Sequence, residues 1–352
     1  MKNLLTIAAI AGLLGVATLP AGASTSLGAA EDWNAMIFNN LNASSDTEGA
    51  LAVGGNMTTS GGYSVGKKAG FGPSLPDSDG AKDSLVVGGN LNASNGYTDV
   101  FGGNVRVGGT VTGGVGVNPP HITNNQVYAN VGAGNVGIDF VAAKADLVAR
   151  STAWSQLAQT GSVYHNNEAN PYIPWNPYNP PNEIALGGTG DLVVFNLIGD
   201  ALDQVNRHFF VDPGATVLVN VSGTDIDITG WSWYVNGNGN LQTFANEANI
   251  IFNFYEALTL DLNNTTLPGS VLAPNAHLTI TGGGINGQTI ANSATQIGGG
   301  QFNNYSFGGS LPPTGGSGSG TGGATPAVPS PAAVWGGLGL IGSMLLRRRR
   351  RG

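Results

Sequence analysis

The chain has 352 residues, with 57 glycines, 18 prolines and no cysteine; 41% of its residues are hydrophobic and 10% charged. The lack of cysteine excludes disulfides, thiol catalysis and thiolate metal sites, and the hydrophobic share without a three-residue glycine period excludes collagen and simple disorder. The formal charge of −8 hides an asymmetry: without Lys2 and five terminal arginines, 7 basic residues face 21 acidic ones, a net of −14, which argues against nucleic-acid binding.

Met1-Lys2, the apolar run Leu4 to Leu19 and the small residues Ala21-Gly22-Ala23 follow the order of a secretory signal peptide, residues 1–23, with the mature chain starting at Ser24. From Leu51 the sequence reads LAVGGNMTTSGG, returning as LVVGGNLNASNG from Leu85, with shorter echoes at VFGGNVRV from Val100 and VGGTVTGG from Val107. Alternating β-formers followed by Gly-Gly and a polar residue predict short strands with tight corners. The irregular spacing makes this a degenerate repeat.

The segment from Asp139 to Gly161 is the one strong helical stretch, placed at about residues 139–160. Asp139 is the expected N-cap and Gly161 the expected end, with Phe140, Leu147 and Trp154 beside Val141 and Val148 as an apolar stripe. Next comes PYIPWNPYNPPNE, Pro171 to Glu183, whose prolines keep it out of any ladder. Its Tyr172, Trp175 and Tyr178 either stack on sugar rings or plug the fold.

From Asp191, DLVVFNLIG, ATVLVNVSG, DIDITGWSWYV, NIIFNFYEALTLDL, GSVLAPNAHLTITGGG and INGQTIANSATQIGGG are short β-patterns suited to a sandwich or a parallel coil. The strand–corner–strand form of the last segments favours the coil. The expected class is mainly β: an irregular parallel β-solenoid with one long flanking helix. The body is taken as residues 24–309, followed by a Gly/Ser/Thr/Pro linker at 310–327.

The chain ends with Val328-Pro329-Ser330-Pro331, fifteen uncharged residues from Ala332 to Leu346, and Arg347, Arg348, Arg349, Arg350 and Arg351. As a helix the apolar run reaches ~22 Å, short of a ~30 Å hydrocarbon core. The arginines orient it with the body outside, as a cytoplasmic stop. This layout resembles the PEP-CTERM class of bacterial sorting signals, with Ser330 where the type pattern has glutamate; the resemblance implies an exosortase-type sorting enzyme as partner and removal of the tail, against permanent inner-membrane anchoring.

The body from about Ala30 to Gly309 resembles the choice-of-anchor A family of bacterial surface proteins. Glu48-Gly49 followed by Ala52-Val53-Gly54-Gly55-Asn56, and Gly269 to Pro274 followed by Gly287-Gln288, carry the resemblance. It implies an adhesive domain whose last rungs are similar to the discontinuous solenoid of ice-binding proteins, flanked by one long helix.

Titratable residues offer little chemistry. His121, His165, His208 and His277 lack metal-ligand spacing, and no catalytic or cofactor motif is present. His277 is expected at a solvent-facing corner. Asp225 and Asp227 share a strand face, which suits a glycosidase pair, a calcium site or a solvated face, the last being favoured. Calcium could fill acidic turns, although no motif marks a site. Ice binding is disfavoured because Thr279 and Thr281 look like an isolated pair. The expectation is a non-enzymatic exported adhesin that binds extracellular polysaccharide or matrix, at the cell surface or released from it. A carbohydrate-active hydrolase or lyase is the alternative, and a passive coat or ice-binding protein the second. Candidate contacts are Tyr172, Trp175, Tyr178, Trp231, Trp233 and Tyr234.

Overall fold

The computed structural model describes residues 27–67, 83–118, 126–165, 183–230, 232–237, 239 and 249–314. The leader, the sorting motif Val328–Pro331, Arg347–Arg351, and Tyr172, Trp175, Tyr178 and Trp231 lie outside the described residues.

The strands stack in parallel, one chain pass on the next. On the first face, residues in direct register form one row, interior from Val105 through Leu85, Leu51, Ala35, Thr289, Val271, Phe252 and Val219 to Phe195, with the exposed Val127 at its outer end. The residues alternating with them, Met36, Ala52, Ile290, Leu272, Ile251, Leu218 and Val194, point the other way and are buried with Ala143, Leu147 and Trp154, so these strands are apolar on both sides. The row also shows the chain's route. The first strand, Ala35–Ile37, sits between Leu51–Val53 and Thr289–Ile297, so the N-terminal strands meet the C-terminal ones in mid-stack. From there the chain runs out to Val127–Tyr128, crosses by the helix, and returns from the opposite end.

The architecture is thus mainly β, parallel and solenoid-like, with one α-helix among the described residues. Strands also continue through corners: Ser270–Asn286 pairs along its length with neighbours on successive faces, so the sheet wraps around its core. A separate four-stranded sheet joins Ser162–His165, Glu183–Gly188, Asn206–Val211 and Trp233–Val235, its first pair antiparallel.

The Gly-Gly-Asn repeats are stacked corners. A Cβ on Gly88 would lie 2.2 Å from the Gly54 carbonyl oxygen, and one on Gly108 2.1 Å from that of Gly88. Only glycine permits this approach. The following asparagines form a ladder: Asn56 N–H donates to Asn40 Oδ1, Asn90 N–H to Asn56 Oδ1, and Thr110 N–H to Asn90 Oδ1, each at 2.8 Å.

The helix α1 runs from Phe140 to Ser155, and Asp139 caps it as expected, accepting from Ala142 N–H at 2.9 Å. Its length of ~24 Å covers about five rungs at ~4.8 Å. It ends at Ser155 instead of Gly161, because the chain then turns to bond the edge strand: Thr160 and Gly161 N–H donate to the Val194 carbonyl. Gly161 is required for another reason, since a Cβ there would lie 2.2 Å from the Phe195 ring. The buried stripe is Ala143, Leu147, Ser151 and Trp154, while Val141 is 82% exposed and not part of it.

Polar groups dock α1 as well. Ser151 Oγ donates to Asn253 Oδ1 at 2.6 Å, Asn253 Nδ2 returns a bond to the Ser151 carbonyl, and Asn220 Nδ2 donates to the Trp154 carbonyl. Asn253 and Asn220 also donate along the ladder, to Asn220 and Asn196 respectively. Residues expected to open the linker are docked too: Leu311 is 1% exposed, Ser310 N–H donates to Thr216 Oγ1, and Trp154 Nε1 donates to the Pro312 carbonyl. The compact unit extends to Thr314, past the expected limit at Gly309.

Candidate binding face

The second face alternates buried Ile226, Ile228, Leu260, Leu262, Leu278 and Ile280 with outward polar residues. Parallel register turns that alternation into columns. Thr112, Asn92, Thr58, Asn42, Thr295, Thr279, Asp261 and Asp227 stand side by side over eight consecutive rungs. All eight are exposed or half-exposed. At ~4.8 Å per rung the column is about 34 Å long.

A second column holds Asp225, Thr259, His277 and Ser293, and on the neighbouring rungs the Asn40, Asn56 and Asn90 ladder precedes the central column by two residues. A third holds Thr229, Asn263, Thr281 and Ile297. Columns two residues apart lie about 6.7 Å from each other on a pleated strand. The isolated Thr279–Thr281 pair is therefore corrected: it belongs to an array assembled from eight separate strands.

The array is held still by its own hydrogen bonds. Thr259 Oγ1 donates to Asp225 Oδ1 at 2.8 Å; Thr229 Oγ1 and Asn263 Nδ2 donate to Asp227 Oδ1 at 2.9 and 3.0 Å. His277 lies in the strand, one hydrogen bond from Ser293 Oγ at 2.7 Å, so it is a member of the face. Three carboxylates, Asp225, Asp227 and Asp261, gather at one end, and the central column beyond them is uncharged.

Of the expected ligand contacts, Trp233 is corrected. Its indole is 2% exposed, stacks on Phe209 at 6.0 Å and donates from Nε1 to Thr265 Oγ1 at 3.2 Å, so it packs the interior. The buried Arg207 guanidinium lies over the same ring at 4.9 Å and donates to the Leu202 and Gly230 carbonyls; burial lowers its pKa to about 10. Tyr234 points the other way, half-exposed, its ring stacked on His208 at 4.6 Å. Burial also holds the His208 imidazole below its ordinary range.

A groove of about 670 Å³ opens beside the start of α1, lined by Trp33, Val86 and four aspartates. Three of these carboxylates have structural partners: Asp83 bonds Arg106, Asp146 bonds Arg150, and Asp139 caps α1. Among the described residues no group of three or more acidic or histidine side chains is placed to hold a metal, and no helix is long and apolar enough to cross a membrane.

A family described as "Putative Ice-binding-like adhesive domain" matches residues 26–304. The chain belongs to this family. The family match spans both the polar face and α1. Among curated proteins no sequence matches. Similar solved structures include an ice-binding protein from the Antarctic ascomycete Antarctomyces psychrotrophicus, 15% identical, covering 79% of this chain and 97% of its own, with a TM-score of 0.31. Another, from an Antarctic biological consortium, is 14% identical over 81% of this chain and 92% of its own, with a TM-score of 0.33. At such scores the superpositions are loose.

Proposed function

We propose that this protein is a non-enzymatic exported adhesin that holds an ordered, hydroxyl-rich surface against its eight-rung polar face. The observation carrying this reading is the continuous register of outward Thr, Asn, Ser and Asp side chains on one rigid sheet. Each contact is weak, and many made together from one rigid body give avidity. Extracellular polysaccharide of the producing cells is the proposed target, in line with family membership. Uncompensated carboxylates at one end disfavour acidic polymers by like-charge repulsion.

Ice is the second reading, favoured by the six central-column positions from Thr112 to Thr279, which carry hydroxyls and amides without charge. The leader at 1–23 and the tail from Val328 fit export followed by processing, with choice-of-anchor A and PEP-CTERM the finer assignments proposed for body and tail. Asp225 and Asp227 are bonded into the array by Thr259, Thr229 and Asn263, which suits a binding face better than a hydrolase pair.

The test is retention of the protein on insoluble matrix polysaccharide and, separately, its incorporation into growing ice, for the native chain and for Thr58→Lys with Thr279→Lys. Saturable retention on polysaccharide that the double variant loses supports the adhesin. Incorporation into ice alone moves the assignment to the second reading, and the absence of both overturns a ligand role for this face.

A further inference from the structure

The six uncharged rungs of the polar face, from Thr112 to Thr279, use their polar groups differently from the acidic end. At that end Asp225 and Asp227 take the hydrogen bonds of Thr259, Thr229 and Asn263. On the uncharged rungs the side chains of Thr112, Thr58, Asn42 and Thr279 have no hydrogen-bond partner among the described residues. Asn92 Oδ1 accepts from Ser94 N–H at 3.0 Å, and Thr295 Oγ1 lies 3.3 Å from His277 Nε2. In the flanking column Asn40, Asn56 and Asn90 spend Oδ1 on the ladder, and their amide N–H groups have no partner among the described residues. Unused hydrogen-bonding capacity is thus concentrated on the uncharged rungs.

The order of these residues matters as much as their freedom. Thr112, Asn92, Thr58, Asn42 and Thr295 alternate hydroxyl and amide over five consecutive rungs. Both asparagines are exposed, whereas Thr58 and Thr295 are half-exposed, so the amides stand above the hydroxyls between them. The surface therefore repeats every two rungs, about 10 Å along the stack.

We infer that the uncharged rungs bind a neutral β-1,4-linked polysaccharide lying along the column, one sugar per rung. This rests on the adhesin reading and names its ligand. In such a chain each pyranose is turned over relative to the last, so the chain is straight, advances by little more than one rung per sugar and repeats every two. Alternate sugars then meet the same pair of groups, an amide that donates and accepts and a hydroxyl that does both. The flanking amides donate to hydroxyls along one edge of the chain. An α-1,4-linked chain curls and leaves a straight column after a few sugars. The backbone ladder sets the spacing before the ligand arrives, which keeps the ordering cost of binding low.

Titration calorimetry of the full chain tests this with β-1,4-linked oligomers of glucose and of N-acetylglucosamine, from disaccharide to octasaccharide, and with α-1,4-linked glucose oligomers of the same lengths. The expected result is affinity for a β-1,4 series that climbs with length to about six sugars and then levels, one sugar for each uncharged rung, with no measurable affinity for the α-1,4 series. Asn42→Thr combined with Asn92→Thr makes the column uniform without adding charge. It should weaken binding of the β-1,4 hexamer about tenfold at an unchanged melting temperature. Equal affinity for both linkages, no β-1,4 binding, or an affinity independent of length overturns the inference, and the length series decides even if the variant fails to fold. Retention on matrix polysaccharide alongside any of those results leaves the adhesin reading standing, whereas loss of that retention removes both.

Discussion

Asn253 links three parts of the molecule through one amide: it accepts from Ser151 on α1, donates to the Ser151 carbonyl, and donates to Asn220 in the next rung. Its side chain is fully buried. Asn253→Ala strands Ser151 Oγ and Asn220 Oδ1 away from water, at roughly 1–3 kcal/mol for each unsatisfied group. We expect a loss of about 2–5 kcal/mol in urea unfolding. His208 gives a second residue-scale prediction. Its folded pKa lies below the ordinary histidine value of about 6.5 because burial opposes protonation, so around and below that pH the unfolded chain binds the proton more readily than the folded one. Stability should hold above pH 6.5 and fall as pH drops from there through the folded pKa, and His208→Phe should flatten this part of a melting-temperature profile.

At the scale of elements, α1 separates packing from periodicity. Leu147 is fully buried and Val141 is 82% exposed on the same helix. Leu147→Ala should cost about 2–5 kcal/mol, as for other buried leucines, whereas Val141→Ala should be nearly neutral by the same thermal measurement. The N-cap was legible because Asp139 acts on its own first turn; the end was not, because a contact with a strand more than thirty residues later stops the helix. Likewise Gly-Gly-Asn announced corners locally. The sequence WSWY marked an aromatic cluster, but which ring faces inward depends on where the strand begins, at Trp233. Trp233 therefore went to the core and Tyr234 to the surface.

Across the whole molecule, the polar face was the least legible feature. Its central column draws one residue from each of eight strands, and Asn42 neighbours Thr295 across most of the chain. No sequence window contains that adjacency; only the parallel register creates it. The boundary of the body is a related case, since Leu311 and Pro312 look like linker by composition and are fixed by contacts to α1 and its surroundings. Truncation after Thr314 should leave the melting temperature of the body unchanged. Truncation after Gly309 should lower it, by loss of the Leu311 packing and the bonds to Thr216 and Trp154.

The mid-stack meeting of the first and last strands has a kinetic meaning. A repeat protein whose coils follow one another in space can begin folding at any rung and extend. Here the seam at Ala35 closes only when Thr289–Ile297 arrives, more than 250 residues later in the chain. Contacts of such separation are slow to form. Until then Ala35–Ile37 and Leu41–Ala43 each lack a neighbour on one side, and the half-built stack presents sticky strands. A nascent chain therefore depends on being kept from its own copies until synthesis is complete, and delivery across a membrane in the unfolded state would meet that need without a dedicated folding aid.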